Sequence, residues 1–144
     1  MLELRCHTHL LQIVEDGQVR VRITIRPDQV FGPDRWPPTA AALEAAIERT
    51  EDRLMPQLPL PVEPDRIGTR DPRLQALSFQ AGNGAQMPLL RDQVENLFVR
   101  LANVAHGLPL AQAGLLDDPD QGTLLVVLRE LLHHGRIHAV VPLS

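Results

Sequence analysis

TLLVVLRELLHHGRIHAVV, residues 123–141, decides how this chain folds. Five apolar residues run together from 124 to 128, and between 124 and 132 only Arg129 and Glu130 are polar. At 3.6 residues per turn such a run is apolar around nearly its whole circumference, and a helix of that kind is buried on all sides. The spacing predicts a helix at the centre of the fold. Its charged and imidazole residues, Arg129, Glu130, His133 and His134, gather in the last turns. Gly135 reads as the closing residue, in the left-handed conformation that glycine adopts cheaply. The β-branched stretch 136–143 then reads as a terminal strand.

Working back from that helix, residues 108–122 read as a loop with one helical turn near 110–113. Asp117, Asp118 and Asp120 stand at the loop's end, where a helix's positive pole favours carboxylates. Residues 89–106 carry a clean amphipathic stripe of Leu90, Val94, Leu97, Phe98, Leu101 and Val104, closed by Gly107. The GNG at 82–84 precedes it. A third glycine and a prompt following strand are both missing, so the pattern reads as a turn rather than a nucleotide loop. Residues 74–80 read as a short strand. Residues 56–73 hold five prolines and read as a stiff connector across the surface of one domain. The PxxP spacings at 56–59 and 61–64 are compatible with a ligand motif but more simply belong to that tether.

At the start of the chain, Asp16-Gly17 is a strong two-residue turn signal between apolar alternating runs. It predicts one β-hairpin over residues 2–26, with Val14 opposite Val19, Gln12 opposite Val21, Leu10 opposite Ile23 and Thr8 opposite Ile25. One face, with Leu4 and Cys6, covers the core. The other gathers Arg5, His7, His9, Leu11, Ile13, Arg20, Arg22, Thr24 and Arg26. Pro27 ends the second strand, and Phe31 and Trp36 anchor the irregular segment that follows. Thr39 is placed to cap a helix running to about residue 55. Its inner stripe is Leu43, Ala46, Ile47, Thr50 and Leu54, with Glu44, Glu48, Glu51 and Asp52 facing away. The sum is a single α+β domain over residues 1–144. An N-terminal β-hairpin and two short strands form one sheet packed on three helices, in the order ββαβααβ.

Composition narrows the chemistry. The 144 residues suit one domain with a sizeable core. Fourteen arginines stand beside no lysine, so Schiff-base and P-loop chemistry lack their residue. The two serines, Ser78 and Ser144, lie in an apolar run and at the last position, poor places for a nucleophile. A single cysteine excludes an internal disulfide and fits a reducing compartment, the cytoplasm. A net charge of −4 speaks against general nucleic-acid binding. Nothing approaches the ~20 apolar residues that cross a bilayer, so no membrane partner is expected.

Two constellations remain. Arg5, His7, His9, Arg20, Arg22 and Arg26 make a basic strand face suited to an acidic protein or a small anion. Solvated surface arginines are the plain alternative. The histidines form the second. His7-x-His9 on a strand, with Glu130, His133 and His134 on a helix, offers nitrogen and carboxylate ligands suited to zinc or iron. The core face of the hairpin should lie between the two pairs, so they are expected to stay apart, with no metal and no other cofactor. The favoured function is therefore a small non-catalytic binding or accessory protein, a homodimer engaged in protein–protein interaction. The dimer follows from exposed sheet edges, the uncharged C-terminal strand above all. The alternative is a metal-binding protein or hydrolase-like enzyme built on His7, His9, Glu130, His133 and His134.

Overall fold

The computed structural model describes residues 2–33, 35–60 and 65–143. The 61–64 half of the PxxP reading lies outside them. The chain begins with a three-stranded meander, β1 (Leu2–His7), β2 (Leu10–Glu15) and β3 (Gln18–Thr24). It continues through α1 (Pro27–Val30), α2 (Ala40–Leu54), β4 (Arg66–Thr69), α3 (Pro72–Gln80), β5 (Leu89–Leu90) and α4 (Arg91–Ala105), and ends with α5 (Pro119–His134) and β6 (Ala139–Pro142). Short 3₁₀ turns follow α2 at Met55–Gln57 and α4 at Leu110–Gln112. The α+β class holds, and the element order is richer than ββαβααβ.

The mixed sheet runs β3-β2-β1-β4-β6-β5. β1, β4 and β6 are parallel, and β2, β3 and β5 are antiparallel to their neighbours. Alternation along the strands turns Leu2, Leu4, Leu11, Ile13, Val21, Ile23, Ile67, Leu89 and Val140 to one face. There they merge with the buried side chains of all five helices into a single core. α5 runs through its middle: eleven of its sixteen residues are buried, from Gln121 to Leu128 and again at Glu130 to Leu132. Asp118 caps it by accepting from Asp120 N–H at 2.9 Å. α2 and α4 flank it. Thr39 caps α2 through the Ala42 N–H at 3.1 Å.

Four readings are corrected. First, the N-terminal hairpin is two hairpins. A tight reversal at Thr8-His9, with Thr8 at φ 23°, pairs His7 with Leu10. Two residues in the turn shift the parity of everything after it, so Leu11 and Ile13 face the core while Leu10 and Gln12 do not. Asp16-Gly17 does make the second turn, at φ 50° and 79°. A bulge beside Ile13/Val14 then sets Val14 against Val19 but Ile13 against Val21 and Gln12 against Arg22. Second, residues 74–80 are helical. Asp71 accepts from Arg73 N–H at 2.8 Å and Pro72 occupies the first helical position, a strong start signal. Third, Gly135 has φ −81°, and Arg136 takes the left-handed position at φ 56°. The Ile137 N–H then reaches the Leu132 carbonyl at 2.9 Å and the Arg136 N–H the His133 carbonyl at 3.4 Å, a Schellman closure one residue later than expected. Glycine is required at 135 for space, since a Cβ would stand 2.6 Å from the Leu131 carbonyl oxygen. Fourth, Leu90 is half-exposed in β5 rather than on the buried stripe of α4.

The sheet's two edges are treated differently. On β3 the Gln57 side chain acts as a short neighbouring strand. Its Oε1 accepts from Arg22 N–H at 2.8 Å, and its Nε2 donates to the Arg22 carbonyl at 2.7 Å. At the opposite end β6 is an interior strand, covered by β5 at Ala139 and Val140 alone.

Candidate functional site

Three ligand-type side chains converge where α2 passes the C-terminal half of α5. Glu51 comes from α2, and Glu130 and His134 stand one turn apart on α5. One oxygen or nitrogen from each lies within 4.8 Å of the other two. His134 Nε2 is 3.7 Å from Glu51 Oε1 and 3.8 Å from Glu130 Oε1. Glu130 is 1% exposed, although it is a carboxylate. Its Oε2 accepts from Arg129 Nη1 at 2.9 Å. The same guanidinium holds Glu95 of α4 through Nε at 3.0 Å and Nη2 at 3.3 Å, and it lies over the Phe98 ring at 4.3 Å. Burial and a hydrogen bond with Glu51 push the Glu130 carboxyl up to about 7, against the pull of Arg129. His134 also lines an open cleft of about 350 Å³ with Met55, Leu58, Leu60 and Gly135.

The histidine set read from sequence is thus divided. Glu130 and His134 meet. His133 is exposed, in edge-to-face contact with His134 at 4.9 Å between ring centroids, and it borders Arg91, Asp92 and Glu95 instead. His7 and His9 are exposed at the first turn and stand outside the convergent group. Glu51 was expected to face away from the core. It is half-buried because it follows Leu43 and Ile47 and precedes Leu54 at spacings of four, four and three, on the flank of the apolar stripe. That spacing is the signal by which the sequence could have revealed it.

The arginine face is largely neutralised by its own chain. Arg5 and Arg70 both grip Glu3, and the hydrogen bond from Arg5 holds the Glu3 carboxyl below its ordinary range. Arg20 pairs with Glu15 at 3.1 Å and Arg26 with Asp28 at 2.9 Å. Arg22 is exposed and commits its backbone to Gln57. Cys6 packs against the core, and burial, reinforced by the neighbouring Asp71 carboxylate, pushes its thiol up to about 12. Ser78 is buried and accepts from Asn83 Nδ2 at 3.0 Å, so GNG is a turn tied into the fold by its central asparagine.

A cleft of about 420 Å³ opens at the C-terminal ends of the parallel strands β4 and β6 beside α3. Leu74, Leu89, Val140, Pro142 and Leu143 form its apolar walls. Phe79 and Met87 stand at it half-exposed, at 52% and 50%. Gln75, on the same wall, has a buried Nε2 with no hydrogen-bond partner among the described residues. Among those residues no helix is long and apolar enough to cross a membrane. No protein-family model, curated protein or solved structure matches this chain.

Proposed function

We propose that this protein is a non-catalytic binding or accessory protein that works as a homodimer, its two copies meeting at the β5–β6 end of the sheet. The observation that carries the reading is the apolar cleft beside that edge, with Phe79 and Met87 half-exposed upon it. β5 pairs only with Ala139 and Val140, so Val141 and Pro142, paired with β4 on one side, meet no further strand on the other among the described residues. An uncharged, partly open edge invites strand pairing. A second copy laid there covers both side chains, and a closed two-fold contact limits the assembly to a dimer. Among the described residues the candidate nucleophiles favour binding over catalysis: the one thiol is held protonated and Ser78 is buried in a structural bond. A lone free thiol also suits the reducing cytoplasm.

Light scattering at high micromolar concentration tests this. The expected particle has twice the 16.0 kDa chain mass. Phe79→Glu and Met87→Glu should each give a single-chain particle with an unchanged far-ultraviolet spectrum. A wild-type particle of single-chain mass at every concentration removes the proposal.

A further inference from the structure

We propose that Glu51, Glu130 and His134 form a binding site for one divalent transition-metal ion, zinc being the type. The residues are of the right kind, since imidazole and carboxylate oxygen together suit zinc and its neighbours. The spacing is right as well. Ligand atoms around a tetrahedral zinc at about 2.1 Å lie about 3.4 Å from one another. The imidazole nitrogen stands 3.7 and 3.8 Å from the two carboxylate oxygens, close to that spacing, and all three ligand atoms lie within 4.8 Å of one another. The ligands are also supported. Glu130 and His134 lie one turn apart on the most deeply buried helix, and Arg129 fixes the second oxygen of Glu130 from the far side.

Charge points the same way. Glu130 shares the Arg129 guanidinium with Glu95, and the Glu51 carboxyl stands close to the buried Glu130, so a cation between the two carboxyl groups is favoured by charge. Three protein ligands leave a fourth position for water or a small ligand, and His134 borders the open cleft formed with Met55, Leu58 and Leu60. His7, His9 and His133 take no part.

Zinc titrated calorimetrically into the tag-free full chain, with cobalt(II) as a second, coloured probe, tests the site. The expected result is one ion per chain, a melting temperature that climbs with the logarithm of free zinc, and visible cobalt bands of a four-coordinate centre. His134→Ala and Glu51→Gln, both at partly exposed positions, should abolish the binding and the bands while leaving the zinc-free melting temperature close to wild type. Binding should persist in a His7→Ala/His9→Ala variant and in His133→Ala. The proposal is overturned if zinc leaves the melting temperature unmoved, if His134→Ala binds as wild type does, or if binding disappears with His7 and His9. None of these outcomes depends on the oligomeric state.

Discussion

Cys6 is chemically isolated in a way the composition makes measurable. The chain has neither lysine nor tyrosine, and its arginines stay charged, so between pH 9 and 12 the thiol is the only side chain expected to titrate. Burial raises its folded value from 9.0 to about 12. A group whose folded value lies above its unfolded one stabilises the fold fully below the unfolded value, and that contribution is lost as the pH rises from about 9 toward 12. Denaturant melts should therefore show a stability plateau up to about pH 9 and a decline above it. In Cys6→Ala the decline should vanish, and an identical slope in both proteins would contradict the assignment. Thiol-specific reagents should likewise label native Cys6 far more slowly at pH 8 than unfolded chain, because the thiolate is the reactive species.

Elements were legible where periodicity ran long, and lost where a single short signal decided. The apolar run at 124–132 marks α5 without ambiguity. Leu128 is 0% exposed, and Leu128→Ala should cost about 2–5 kcal/mol by opening a cavity, read as a lower denaturation midpoint. The stripes of α2 and α4 were equally plain, because core faces repeat over four turns. The reversal at Thr8-His9 was hidden, since neither residue belongs to the types that ordinarily mark a turn. That one omission inverted the inner and outer faces of β2. β4 is four residues long inside a proline-rich stretch, too short to assert a period. Asp71-Pro72 marks the start of α3, but the pair sits at the end of the proline-rich stretch and reads there as part of the connector. Glu51 escaped notice because one carboxylate on the flank of a stripe resembles any solvated residue until its partners on α5 are in place. α5 carries a further constraint that periodicity could not express. A Cβ at Gly122 would lie 2.2 Å from the Trp36 ring, which Asp117 holds through Nε1 at 2.9 Å. Gly122→Ala gains about 1 kcal/mol of helix propensity but must displace the indole, a net loss of about 1–3 kcal/mol. Trp36 is the chain's only tryptophan, so its emission should shift to the red in that variant.

At the scale of the whole molecule, assembly depends on what closes the two ends of the sheet. At the β3 end the Gln57 amide satisfies both main-chain groups of Arg22, in the way a neighbouring strand would. At the other end β5 covers only two residues of β6, and the apolar cleft lies beside it. A molecule with one open edge pairs once, through a two-fold contact, and stops. A molecule with two open edges adds copies without limit, because each addition exposes a fresh edge. Gln57→Ala removes the amide that closes the β3 edge and also its bond to the Arg53 carbonyl at 2.9 Å. The loss of stability should be modest, about 1 kcal/mol for exposed hydrogen bonds. The effect on association should be larger: in place of the proposed dimer, light scattering should record particles that grow with time and concentration. Adding Phe79→Glu to Gln57→Ala should halt that growth at small oligomers, since one of the two edges is then guarded by charge. If Gln57→Ala stays at the wild-type particle size over days at high micromolar concentration, the amide does not guard that edge and the β3 end is closed by its own twist and charge.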